Sequence, residues 1–215
     1  MPERTSSINQ EFNTPLGVVR CGFDCDGQVQ LMERRKYENG ISKVYKTEAH
    51  QIEIVSFKIN FASYNGAALT DSSGWIFKIE KNSDLEESIE VYCLLDKVND
   101  EVEFDYAGGE HLDAIKGEND EWTLHIGTED GDALHSRAQN DDWFPRRIQN
   151  MVDNYKSITQ VKQNGFVTKI PHLKQGEKIH VQYLTAYDKR DDQRVNTWLA
   201  VEQSKKMLEK WIGMD

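Results

Sequence analysis

Residues 51–61 read QIEIVSFKINF, and from Val55 onward the apolar side chains fall on every second position, at Val55, Phe57, Ile59 and Phe61. A period of two sets all four on one face of an extended strand, the pattern of a half-buried sheet rather than a helix. The alternation returns at Trp75, Phe77 and Ile79, at Trp122, Leu124 and Ile126, and at Ile179, Val181 and Tyr183. Asp26-Gly27, Asn39-Gly40, Asn99-Asp100 and Asn164-Gly165 separate such runs. Gly, Asn and Asp tolerate the positive φ of tight antiparallel turns, so these pairs read as hairpin connections.

Working outward, residues 19–23, 28–37 and 41–47 read as a three-stranded meander, and Asn65-Gly66 with residues 71–74 bounds a loop before the strand at 75–80. Residues 89–95 and 102–106 read as a hairpin about Asn99-Asp100, and residues 158–162 and 166–170 as a hairpin about Asn164-Gly165. Val195, Thr197, Leu199 and Val201 answer the strand at 179–183 across a polar loop at 188–194, which predicts a long final hairpin. Residues 127–144, GTEDGDALHSRAQNDDWF, show no sustained period and read as a long irregular loop. Beyond it Pro145 suits a helix start, and Ile148, Met151, Val152 and Tyr155 recur at helical spacing, with Asp141 or Asp142 placed to cap. At the C-terminus Ser204 caps a short helix whose buried stripe is Met207, Leu208, Trp211 and Ile212, ended by Gly213.

About ten short strands with two helices predict a mainly β protein, an antiparallel β-sandwich of immunoglobulin-like or jelly-roll-like type, with one mid-chain helix and a short C-terminal helix. Residues 1–14 read as a flexible N-terminal segment and 15–215 as a single sandwich domain. The cadence Pro171-x-Leu173-x-x-Gly176-Glu177-x-x-x-Val181-x-Tyr183 resembles the last hairpin of many immunoglobulin-like sandwiches. That resemblance spans thirteen residues and brings no functional residue with it.

Composition narrows the function. The 215 residues carry 26 Lys and Arg against 37 Asp and Glu, a net charge of -11, and the basic clusters Arg34-Arg35-Lys36 and Arg146-Arg147 are too small to hold a phosphate backbone against that field. A basic protein is the better partner than a nucleic acid, while a small ligand or glycan stays open. No run approaches the ~20 apolar residues of a membrane helix, and residues 1–15 lack a signal-peptide core, so no membrane association and a soluble, cytoplasmic chain are expected. Cys21 and Cys25 stand about 13 Å apart along an extended strand, too far for a disulfide, so free thiols are expected.

Chemical motifs are sparse. H-E-x-x-H, C-x-x-C, G-x-S-x-G, the P-loop and G-x-G-x-x-G are all absent, so the sequence leans away from an enzyme. No cofactor is predicted. Asp24, Asp26, Gly27 and Glu33 miss the calcium-loop spacing because Gly27 falls in the fourth position rather than the sixth. Glu129, Asp130 and Asp132 remain weak candidates for Ca²⁺. The densest chemistry lies at His135, Arg137, Asp141, Asp142, Trp143, Arg146 and Arg147, where guanidiniums for an anion and an indole for stacking sit beside carboxylates. Trp75, Trp122 and Trp211 fall on apolar faces and read as core, whereas Trp198 falls opposite Leu199 and Val201.

Three functions fit these residues. The leading one is a non-catalytic acidic binding module that holds a partner protein through residues 128–147, in concrete form an inhibitor or immunity-type protein. The alternatives are a carbohydrate-binding or sugar-active sandwich, and a small-molecule cyclase or isomerase that uses the sandwich interior with His135 or Asp142 as acid or base.

Overall fold

The computed structural model describes residues 5–61, 69–98, 101–152, 157–191 and 195–214. The turns expected at Asn65-Gly66 and Asn99-Asp100, Tyr155 of the expected helix, and residues 192–194 of the polar loop lie outside these. The chain runs β1 (Thr5–Thr14), β2 (Gly17–Asp26), β3 (Gln30–Lys36), β4 (Gly40–Lys46), β5 (His50–Phe57), β6 (Asp71–Lys81), β7 (Ile89–Asp96), β8 (Glu103–Tyr106), β9 (Leu112–Glu118) and β10 (Trp122–Glu129). Helix α1 (Gly131–Asn140) and a 3-10 turn over Arg146–Met151 follow, then β11 (Thr159–Lys162), β12 (Gly165–Lys169), β13 (Lys178–Lys189), α2 (Asn196–Val201) and α3 (Lys205–Ile212).

The strands form two antiparallel sheets packed as a β-sandwich. One has the order β1-β2-β7-β12-β11 and the other β3-β4-β5-β6-β13-β10-β9-β8. Inward residues of β2 and β7 (Val19, Cys21, Phe23, Val91, Cys93, Leu95) meet Ile52, Ile54, Trp75, Phe77, Ile79, Leu124, Ile126 and Val181 of the larger sheet in the main core. Each such side chain contributes about 1.5–3 kcal/mol of transfer free energy. The Tyr183 hydroxyl crosses this core to Thr168 Oγ1 at 2.6 Å and to the Val91 carbonyl at 3.2 Å, which ties the two sheets.

The larger sheet is buried on its outer face too. Val55, Phe57, Ile59, Ile76, Leu112, Ala114, Leu184 and Ala186 pack there under Ala200, Val201, Leu208 and Ile212 of α2 and α3. The face expected for Val55, Phe57 and Ile59 is thus the one under the helices, with Phe61 partly buried against it, although β5 itself stops at Phe57. Coverage on both sides explains why β13 stays buried without a break from Ile179 to Ala186.

Several expectations are corrected. Residues 5–14 are no loose terminus: they pair with β2 in continuous register from Thr5↔Asp26 to Thr14↔Gly17, and Ile8 and Phe12 pack on the core. The sequence looks polar there because β1 is an edge strand. The 19–47 meander splits, since β2 pairs with β1 and β7 in one sheet while β3 and β4 form a hairpin at the edge of the other. Strands β7 and β8 likewise belong to different sheets and make no hairpin. Within the residues expected as a strand, Asn196–Val201 form α2, with Val195 at its N-cap. Both edges of β13 are already taken by β6 and β10, and a helix buries Thr197, Ala200 and Val201 on one side. Among the described residues the mid-chain helix expected after Pro145 is a 3-10 turn over Arg146–Met151, whereas a full helix, α1, occupies residues read as loop.

At the C-terminus the expectation holds closely. Ser204 Oγ accepts from the Met207 amide, and Gly213, at φ 79°, closes α3 over buried Leu208 and Ile212. Met207 is the exception, since it projects outward at 61% exposure. All three cysteines are free and buried.

Candidate functional site

Helix α1 exists because its short sequence closes both ends. The Asp130 carboxylate accepts from the Ala133 amide at 2.8 Å, Asp132 lies in the positive first turn, and Arg137 in the negative last one. Leu134 and Ala138, four apart, then dock one side onto the core. Two apolar anchors make a weak periodic signal, which is why the helix is hard to see in sequence; the cap and the charge gradient were the available clues.

Docked this way, α1 builds a chain of alternating charges. Arg137 Nη1 binds the Glu129 carboxylate at the end of β10, and Arg137 Nε donates to Asp141 Oδ2 at 3.0 Å. Lys205 Nζ of α3 lies 3.3 Å from Asp141 Oδ2 and 2.8 Å from Glu209 Oε2. Glu209 Oε1 in turn stands 3.8 Å from Nδ1 of the fully buried His180. The side chains of the five charged residues are only 9% to 17% exposed, so their attractions are far less screened than those of a surface pair.

The fields are uneven along this chain. Burial raises the pKa of Glu129 by more than neighbouring Arg137 lowers it. Burial also pushes the Asp141 carboxyl upward, but the Trp143 amide at 2.9 Å and the Arg137 guanidinium outweigh it and hold the group below the usual range. Burial, aided by Arg137 and Lys205, keeps His180 well below an ordinary imidazole and therefore neutral.

This charge chain forms part of the floor of a cleft of about 670 Å³, set between α1, the start of β9, the end of β10 and the segment joining α2 to α3. That volume suits a small molecule. Gln182 lies in the wall with both ends of its amide spent, on the Gln203 carbonyl at 2.8 Å and on His180 Nε2 at 3.1 Å. Glu202, Lys206 and His111 line the rim and are exposed, and their side chains make no hydrogen bond or ion pair among the described residues. Trp, Tyr and Phe are missing from the lining among those residues.

Of the residues singled out in sequence, the structure brings only Arg137, Asp141 and Glu129 into the cleft. His135 Nε2 turns away to Gln139 and Gln149, at 3.1 and 3.0 Å. Asp142 and Arg146 are exposed outside the lining. Trp143 is held beneath Lys78 Nζ at 4.4 Å and Lys178 Nζ at 4.7 Å, and Arg147 Nε donates to Glu177 Oε1 at 2.7 Å. Asp130 is spent on the helix cap and Asp132 points to solvent, so these two and Glu129 do not converge; among the described residues no three His, Cys, Asp or Glu side chains are grouped as a metal site requires. Lys205, Lys206 and Glu209 are not legible in sequence because α3 shows only its apolar stripe there, and Glu202 because residues 195–201 read as a strand. Among the described residues no helix is long and apolar enough to cross a membrane.

No family model and no curated protein matches the chain. A solved structure assigned as a kojibiose phosphorylase from human microbiome is similar over 98% of this chain and 28% of its own length, at 8% identity and a TM-score of 0.38. The chain therefore spans little more than a quarter of that protein, and a likeness of this degree carries no argument about either.

Proposed function

We propose that this chain is a non-catalytic binding protein whose cleft between α1 and the α2–α3 junction takes a small polar molecule. One observation carries the reading: the floor is a run of charges, Glu129, Arg137, Asp141, Lys205 and Glu209, already paired with one another before any ligand arrives. Such a floor costs little to organise on binding. The carboxylates and amine of the floor itself are engaged with one another, so none of these five residues stands free for proton transfer. The space between the sheets is filled by packed side chains, which counts against a ligand held in the sandwich interior.

Amide NMR titration of the ¹⁵N-labelled protein with a library of monosaccharides, disaccharides, amino acids and nucleosides tests this. The expected result is a saturable shift at Ser136, Asn140, Gln182 and Lys206. Shifts confined to other surfaces, or none with any compound, overturn it.

The net charge of -11 favours a second reading, a basic protein partner held on the acidic surface. The residues first nominated for it are mostly spent within the chain, Arg147 on Glu177 and Arg137 on Glu129 and Asp141. Capture of a basic partner at low salt that fades above physiological ionic strength is its signature.

A further inference from the structure

We propose that the cleft selects a zwitterion of the amino-acid or short-peptide class, with Glu202 receiving the ammonium and Lys206 the carboxylate. The inference rests on the cleft reading above and names its ligand class. With the floor already neutralised pair by pair, selectivity falls to the charged groups that remain unspent. Among the described lining residues these are Glu202 and Lys206, one of each sign, on either side of Ser204.

Both sit where their own helix makes them uncomfortable. Glu202 is the C-cap of α2, next to outward-facing carbonyls, and Lys206 lies in the first turn of α3, beside its unbonded amides and with no acid in that turn. Helices normally carry the opposite arrangement, acids at the start and bases at the end. Lys205, its neighbour, is compensated by Asp141 and Glu209, but Lys206 has no counter-charge among the described residues. Each pole is thus reinforced: a carboxylate with backbone carbonyls on one side, an ammonium with backbone amides on the other. Arg137, nine-tenths buried in the same lining, is held by Glu129 and Asp141 and adds fixed positive charge beneath the cleft. A neutral sugar would leave both poles unpaired, and it would find no aromatic platform among the described lining residues.

The test is isothermal titration of the full chain with each of the twenty amino acids and with Gly-Gly, followed for the best binder by its N-acetyl and C-terminal amide derivatives, with glucose and maltose alongside. Removing either ligand charge should weaken binding about tenfold to a hundredfold. Glu202→Gln should lose the preference for a free ammonium and Lys206→Met the preference for a free carboxylate, while both exposed variants keep the wild-type unfolding midpoint. If the sugars bind and the zwitterions do not, or if the blocked derivatives bind as well as the parent, this inference falls and the cleft stands. If no probe binds, both fall.

Discussion

Lys205 at the start of α3 lies 3.3 Å from the Asp141 carboxylate just beyond α1, so one ion pair joins two helices that belong to different parts of the sandwich. Through Asp141 it also meets Arg137, and through Arg137 it reaches Glu129 on β10. Breaking this run at its most buried cation should be costly. Arg137→Met is expected to lower stability by about 3–5 kcal/mol, because Glu129 and Asp141 lose the buried cation they share. Adding Glu129→Gln should recover much of the loss, and urea unfolding of the single and double variants measures both.

Tyr183 offers a second probe, of the contact between sheets. Its hydroxyl is bonded to Thr168 and to the Val91 carbonyl in a fully buried site. Tyr183→Phe should cost about 1–3 kcal/mol while leaving the fold intact. A change within error would show that the hydroxyl does not tie the sheets.

Acid should destabilise the protein, and the sign follows from the histidines. Burial lowers His125 to about 4, with Lys116 adding to the effect, and burial also holds His180 low. An unfolded histidine protonates near 6.5, so between that value and about 4 the unfolded state binds more protons. Stability present above pH 6.5 is therefore lost on acidification, by about 3 kcal/mol for His125 alone. Asp141 and Glu177, both lowered, add to the loss at still lower pH, whereas Glu129, raised, opposes it. Unfolding free energies at pH 7, 5.5 and 4.5 should fall in that order, and His125→Asn should flatten the trend.

Gly165 turns the chain between β11 and β12 at φ 147°, and a Cβ built there would stand 2.1 Å from the Cys93 carbonyl oxygen. Gly165→Ala should lower the thermal midpoint by several degrees, about 2 kcal/mol or more. A midpoint equal to wild type would mean that the β7–β12 pairing gives way without penalty.

The thiols should be silent in the folded state. Cys21 and Cys93 are fully buried and Cys25 nearly so, and burial raises the Cys21 thiol well above its ordinary value and Cys25 to about 12. Thiol titration with a disulfide reagent should find none of the three at pH 8 and all three in denaturant. Rapid native reactivity would contradict that burial.

Local alternation was enough to establish sheets, because whether Trp75, Phe77 and Ile79 share a face depends only on a strand's own period. The α3 caps at Ser204 and Gly213 were readable for the same reason: each acts within one turn. Pairing was not readable. That β2 joins β7 while β3 joins β4, or that Asn196–Val201 coil into α2, depends on which edges other strands have already filled. The cleft lay furthest from view. Arg137 and Asp141 could be nominated from their chemistry, but Glu129, Lys205 and Glu209 become their partners only when the tertiary fold brings β10, α1 and α3 together. Short-range periodicity thus determined most of the strands and α3, and long-range packing decided α2, which charges neutralise one another and which two, Glu202 and Lys206, are left over.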